Sequence, residues 1–408
     1  YDGSSVTVAS SMQNKDLTWE RTSQLDLGFD VNFLNDRIRV TADYYNKRTR
    51  DMLFNVTLPD TGSFDSVRAN VGSARFYGFE LALHTVNIER KDFYWGTDIT
   101  WSFNKNKVIS LDDSYKYKNL DGKDAWRIGG YTMTQTGEKF GGIAVGEPLG
   151  RIYGYVIDHI ITSQEDADNA YYDALSKGYR REDGKRVPGR KAVGDYEWVN
   201  RPGSALTATG EEMINAEDMF ELGNVLPKHT GGINNTIKYK RLTFNLYCDF
   251  ALGHSIVNYM KSRVFMNTYG TCNGNILRDV KDCWEPGKSD YKYARFLPND
   301  CDYGNSNFQR ISDFCVEKGD YLCIRDVSIS YDLPEKWIRG LKLQKLTVGV
   351  SGNTLAYVDN VTGTISPEIG IGASSSGSWF SAVNTSDNVN ANIAPAARKI
   401  LFNVKLTF

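Results

Sequence analysis

Carboxylates are the first residues to test for chemistry, because hydrolysing a glycosidic bond needs two of them facing one another roughly 5–10 Å apart. The densest groups, Asp112-Asp113 and Asp166/Asp168, fall among turn-forming residues, where a solvated surface role accounts for them. The four histidines (His84, His159, His229 and His254) show no metal-ligand spacing. Gly141-Gly142 and Gly231-Gly232 read as turn and strand glycines rather than phosphate cradles, and neither a nucleophile elbow nor a Walker loop appears. The expectation is a chain with no catalytic centre, no metal and no cofactor.

Two other residue types point to binding. Aromatic residues make up 12% of the 408 residues, enough to furnish membrane-interface girdles, sugar-binding surfaces or a large β core. Pyranose rings stack on aromatic faces, so Trp284, Tyr291, Tyr293 and Tyr303 in one long loop and Trp379 and Phe380 in another are candidate ligand contacts. Packing of those loops together, or against a partner, is the alternative for each. The six cysteines all lie between Cys248 and Cys323, with spacings that fit neither zinc nor iron–sulfur sites. In an exported protein Cys272, Cys283, Cys301 and Cys315 would form disulfides within one loop, with three pairings open; otherwise they are unpaired small residues.

These residues are carried by segments that alternate in polarity with a period of two. Leu25, Leu27, Phe29, Val31 and Phe33 alternate with Gln24, Asp26, Gly28, Asp30 and Asn32. After a short turn, Ile38, Val40, Ala42 and Tyr44 alternate with Arg39, Thr41, Asp43 and Tyr45. The same hairpin pattern returns around Phe79–Leu83 and Trp95–Phe103, around Leu242–Phe250, and around Val327–Tyr331 with Leu346–Val350. A last strand places Ile400, Phe402, Val404, Leu406 and Phe408 on one side. One face is greasy and the other wet, so Asp26, Asp30, Arg39, Asp43 and Asp249 either contact a plug or cargo or simply hydrate a polar interior. Phe408, ending an alternating strand, fits a recognition signal for barrel assembly.

Short turns alternate along the chain with long segments at 47–72, 106–228, 253–319 and 356–396. A bacterial outer-membrane barrel has this asymmetry, with short periplasmic turns and long extracellular loops. Nine strands are expected, with a possible further pair within 144–160 and 190–222. No run reaches the ~20 apolar residues of a membrane helix, which a barrel does not need. A net charge of −2 gives no reason to expect nucleic acid. An open edge of ten residues would leave roughly five backbone groups unpaired, each costing several kcal/mol in hydrocarbon. Residues 1–408 are therefore expected to be the C-terminal part of a barrel, with N-terminal strands upstream to close the sheet.

Several phrases resemble the SusC/RagA group of TonB-dependent outer-membrane transporters. Leu17-Thr18-Trp19-Glu20 with Gln24-Leu25-Asp26-Leu27-Gly28-Phe29-Asp30 resembles a mid-barrel strand opening of that group, and Asp43-Tyr44-Tyr45-Asn46-Lys47 the stretch that follows. Asn70-Val71-Gly72 with Gly78-Phe79-Glu80-Leu81, Asn104-Lys105-Asn106-Lys107-Val108 and Val145-Gly146-Glu147-Pro148-Leu149-Gly150 continue the likeness. Lys318-Gly319-Asp320-Tyr321-Leu322-Cys323-Ile324-Arg325-Asp326-Val327, then Pro395 and Arg398, extend it almost to the end. Many members carry a calcium-like loop that Asp195-Tyr196-Glu197-Trp198-Val199-Asn200 does not reproduce, so no calcium site is carried over.

The resemblance implies an all-β antiparallel transmembrane barrel. About 9–11 strands would belong here to a roughly 22-stranded, plugged whole, in the outer membrane of a Gram-negative, Bacteroidetes-type bacterium. It further implies a SusD-like surface lipoprotein partner, a TonB complex acting through the upstream part, and an oligosaccharide or peptide as cargo. A secreted soluble β-rich carbohydrate-binding or hydrolytic protein, or a passive porin, are the alternatives.

Overall fold

The computed structural model describes residues 11–12, 14–57, 66–180, 185–258, 261, 278–296, 307–308, 310–341, 343–363, 366–370 and 397–408. Nine strands form the antiparallel path of one ten-stranded sheet, each pairing with its predecessor: β1 (Arg21–Phe33), β2 (Ile38–Thr57), β3 (Ser66–Arg90), β4 (Phe93–Leu111), β5 (His229–Tyr239), β6 (Leu242–Leu252), β7 (Tyr321–Asp332), β8 (Lys345–Asp359) and β9 (Lys399–Thr407). Ser11–Met12 adds to Ser66–Val67 in parallel. The links 34–37, 91–92, 240–241 and 333–344 are short and lie at one end. Those at the other end include 112–228 and 253–320. The expected asymmetry of turns and loops is present.

The register shows why the alternation matters. Directly paired residues share a face, and the pairing carries one apolar row across the sheet: Val31, Val40, Leu83, Ile99, Ile233, Cys248, Ile324 and Ala356. The next row is polar: Asn32, Arg39, His84, Asp98, Asn234, Tyr247, Asp326 and Asn353, the last two set two and three residues away by bulges. A one-residue slip in any strand would exchange the two faces, so burial of one of them in hydrocarbon fixes the register. On the interior strands the apolar side leaves Phe79, Trp95, Ile233, Ile329 and Val350 exposed.

Along β4 the outward residues are Phe93, Trp95, Thr97, Ile99, Trp101 and Phe103. Aromatics therefore cap both ends of a span of ten residues, which is about 33 Å along the strand and about 25 Å along the normal at a 40° tilt. That matches the height of an apolar band between two aromatic girdles. Tilt is written into the pairing too. Ile38 opens β2 opposite Thr85, yet β3 runs on to Arg90, 90 − 85 = 5 residues further, so successive turns step along the strand axis.

Two expectations need correction. Residues 47–72 are not mainly loop: β2 continues to Thr57 and β3 begins at Ser66, giving strands of 20 and 25 residues, about twice what a membrane requires. The extension persists because a second core forms above the lipid. Met52, Phe54, Val71, Ala74, Val108 and Leu111 are buried there with Leu149, under Trp126, Ile128, Ile143 and Val145 from the 112–228 excursion. The suggested strand pair within 144–160 and 190–222 does not join the wall. Its pieces are three to five residues long, and Arg151–Gly154 pairs with Phe220–Asn224 while Ile157–Ile160 pairs with Tyr196–Trp198. Such pieces are too short to span a bilayer and are covered by aromatic side chains instead.

The two long excursions pack into one body. Tyr155, Tyr196, Trp198 and Ile214 from the first share a buried cluster with Cys283, Tyr293, Ala294, Phe308, Phe314 and Cys315 from the second. Its rings meet mostly edge-on, as their quadrupoles favour: Tyr196–Phe308 at 5.8 Å and 82°, Tyr293–Phe314 at 5.6 Å and 89°.

Candidate functional site

The inward face of the wall is a ladder of polar contacts between neighbouring strands. Thr41 donates to Asp30 at 2.5 Å, the Tyr45 hydroxyl to Asn104 at 2.5 Å, and Asn353 to Asp326 at 2.5 Å. The His84 Nδ1 lies 2.5 Å from Asp98, which also accepts from Asn234 at 3.3 Å. Such cross-strand pairs hold a water-facing surface in one geometry. Asp26, Asp30, Arg39 and Asp43 belong to this polar face.

Asp249 differs in that the strands around it are bulged. The ladder shifts between Tyr247 and Cys248 against β7, and again between Ile324 and Asp326 against β8. Against β6 the extra residue is Arg325, and against β8 it stands opposite two residues, Thr354 and Leu355; it turns inward and forks onto Asp249 at 2.6 and 2.8 Å. It also grips Glu368 of the short turn Pro367–Gly370, while Tyr321 reaches Asp249 at 3.4 Å. A bidentate arginine–carboxylate pair is directional as well as strong. Here it clamps the start of the 360–398 link to the inner wall. Just above, His254 is buried under Gly319, where an added Cβ would stand 2.5 Å from Nε2; no side chain fits there.

The loop body carries the other candidates. Tyr293 is 8% exposed and buried among Phe314 and Cys283, so its ring offers no face to a ligand. Trp284 is half-buried and lies over the backbone of Gly194, whose φ of +93° and missing Cβ admit it: a Cβ would sit 2.3 Å from the indole. Tyr291 is half-buried on the same segment. Tyr303, Trp379 and Phe380 lie outside the described residues, as do Cys272 and Cys301.

Expected disulfides are corrected at the two cysteines that are described. Cys283 and Cys315 are free thiols packed as small apolar residues in the aromatic cluster. Burial pushes the Cys283 thiol up to about 12 and the Cys315 thiol up to about 11.

Several buried charges in the body have a charged partner, while Asp218 is held by the backbone N–H groups of Arg201 and Asn215. Asp195 is fully buried and binds Arg295 at 2.6 and 3.0 Å and Asn307 at 3.0 Å. Its oxygens are thereby committed to protein donors, in the stretch that departs from the calcium-like pattern. Asp173 takes Arg310 at 2.8 Å, whose guanidinium also lies 4.6 Å from the Trp198 ring. Lys191 and Glu197 are buried as a pair; burial raises the Glu197 pKa, against the pull of Lys191. Among the described residues no group of three or more His, Cys, Asp or Glu is arranged to hold a metal ion. The described residues do hold an open apolar groove of about 410 Å³ along Phe250, Leu252, Leu322 and Val358, but these side chains belong to the outward, lipid-side face.

Nine tilted antiparallel strands, greasy outside and polar inside, with a folded body on one end, define the wall of a transmembrane β-barrel. Residues 1–361 match the family model for the TonB dependent receptor-like β-barrel, and the chain belongs to that family. It is 28% identical over 356 residues to TonB-dependent receptor P3 of Formosa agariphila, covering 86% of this chain and 31% of the relative. TonB-dependent receptor SusC of Bacteroides thetaiotaomicron is 25% identical over 356 residues, with 85% and 29% covered. The chain thus spans about a third of the length of these relatives. Its fold also superposes on the RagAB peptide transporter with a TM-score of 0.60 at 20% identity, covering 89% of this chain and 34% of that one. These relatives are receptors and not enzymes, in keeping with the expectation drawn from the carboxylates and histidines.

Proposed function

We propose that this chain forms part of the wall of a SusC/RagA-type, TonB-dependent importer in the outer membrane of a Bacteroidetes-type bacterium, where it serves uptake of an oligosaccharide. The observation that carries the reading is the register-locked apolar band on the wall, about 25 Å tall between its aromatic margins. Family membership and the similarity to SusC support the transporter class. Further strands and a plug would complete the cylinder beyond the free edges of β1 and β9. A SusD-like lipoprotein would dock on the loop body, which stands clear of the lipid. The TonB complex would act through the upstream part.

Trp284 and Tyr291 are the described aromatics available to contact cargo; Tyr303, Trp379 and Phe380 complete the proposed set. Trp284→Ala and Tyr291→Ala should each slow oligosaccharide uptake by roughly fivefold, equivalent to about 1 kcal/mol of lost stacking. Uptake of labelled oligosaccharides and of labelled peptides by cells carrying each variant checks this. A defect confined to peptides would overturn the oligosaccharide assignment in favour of the second reading, which the likeness to the RagAB peptide transporter supports. Phe408, exposed beyond β9 on the outward side, is proposed as the assembly signal. Phe408→Ser should lower the amount of barrel inserted in the outer membrane several-fold without changing the uptake rate per inserted molecule.

A further inference from the structure

The outward face changes character abruptly above the upper aromatic girdle. Leu27, Tyr44, Phe79 and Phe103 stand in one row; the next row up is Leu25, Asn46, Tyr77 and Lys105; the next is Ser23, Arg48, Arg75 and Lys107. Three cations are thus directly opposite one another on adjacent strands, with Lys105 one row below. Like charges in directly opposed positions destabilise a sheet. Among the described residues none of the four has a carboxylate at ion-pair distance. The Arg48 Nε is buried without a hydrogen-bond partner. Lys105 and Lys107 are exposed.

Their height is informative. From Phe103 to Lys107 is four residues, about 13 Å along the strand and about 10 Å along the normal, which puts the row at the outer edge of the headgroup layer. The side chains lean back toward the girdle. The Arg75 guanidinium lies 4.7 Å from the Tyr77 ring and Nη2 is 3.5 Å from the Tyr44 hydroxyl, while Lys105 Nζ is 5.3 Å from the Phe103 ring. Long cationic stems laid over aromatic rings place their charges where headgroup phosphates would be. The patch is continuous with the lipid face, and at its upper end Lys107 stands beside Gly146 of the loop body.

Resting on the membrane reading above, we infer that Arg48, Arg75, Lys105 and Lys107 form a binding site for the phosphate groups of a phosphorylated glycolipid in the outer leaflet. The charges fit that occupant: a phosphomonoester carries close to two negative charges and three acceptor oxygens, matched by guanidinium forks and ammonium donors. The glycolipid's acyl chains would continue down the apolar rows ending in Phe79 and Phe103. Bound phosphate would remove the repulsion that the opposed cations otherwise impose on β2, β3 and β4.

The test uses the full-length protein purified from outer membranes and reconstituted in nanodiscs containing bisphosphorylated lipid A or its dephosphorylated analogue, with retained lipid counted by native mass spectrometry. The wild type should retain the bisphosphorylated lipid at least tenfold more than the dephosphorylated one, and millimolar inorganic phosphate should not displace it. The R48Q/R75Q/K105Q/K107Q variant should lose that preference while migrating as a folded, heat-modifiable barrel. Equal retention of both lipids by the wild type would overturn the site, as would displacement by inorganic phosphate alone. The wild-type comparison stands even if the variant does not fold. Failure of the protein to partition into membranes at all would strike the membrane reading instead, so the two failures are separable.

Discussion

Arg325 shows how much a single bulge decides. Strict alternation from Val327, Ile329 and Tyr331 would put Arg325 on the outward face, where arginine costs about 2–4 kcal/mol near the bilayer midplane. The paired register shifts on both sides of it turn the guanidinium inward onto Asp249 and Glu368. Asp249 was legible as an inward carboxylate from its place between Cys248 and Phe250; its partner was not, because a bulge interrupts the period that made the prediction possible. The cysteines went unread for a different reason. Their spacing is compatible with bridges, and only the packing shows Cys283 and Cys315 inside an aromatic cluster. With thiols held at about 12 and about 11, both should resist iodoacetamide at pH 8 in the folded protein and label fully in denaturant, as intact mass would report.

Another residue-scale prediction concerns His159. Partial burial pulls its pKa down, but hydrogen bonds and charges from Asp158 and Asp166, at 2.8 and 3.2 Å, outweigh that and leave it raised above about 6.5. The imidazolium's contribution to stability is therefore whole below pH 6.5 and lost as the pH rises through the folded value. A titration of the ring resonances should give a midpoint above 6.5 in the wild type and a lower one in Asp166→Asn.

At the scale of the element, the strands were the most legible part of the chain, since each carries its own period and its own turn. What pattern reading missed was their length. Residues 47–72 are polar and turn-like by composition, and they remain in register only because Met52, Phe54 and Val71 meet Leu149 and Trp126 from a distant segment. Long-range cover of that kind leaves no local signal. The same holds for Arg151–Gly154 and Tyr196–Trp198, whose partners are set by the fold of the body and not by a neighbouring turn. The wall makes a sharper prediction. Ile233→Arg, on the outward row, should destabilise the folded barrel by about 2–4 kcal/mol in lipid, whereas Asn234→Arg, one residue on and inward, should cost well under 1 kcal/mol. Urea unfolding in bilayers would compare them; equal losses would contradict the assignment of faces.

Over the whole molecule two solvents act on one sheet. In the membrane the outward side is apolar and the inward side wet. Above it the inward side of β2, β3 and β4 turns apolar under the loop body, and the outward side becomes cationic. The candidate ligand contacts follow this division only in part: Tyr293 sits in the body's interior, and Trp284 and Tyr291 lie nearer its surface. Aromatic content alone could not sort them, because packing and recognition draw on the same residues.

Adjacent labels on one strand test the division of faces most directly. Spin labels at Phe244→Cys and Asn245→Cys in the membrane-inserted protein should report opposite environments: the first accessible to molecular oxygen and shielded from a water-soluble nickel chelate, the second the reverse. A label at position 244 that meets the chelate as readily as one at 245 would contradict the membrane wall and everything proposed from it.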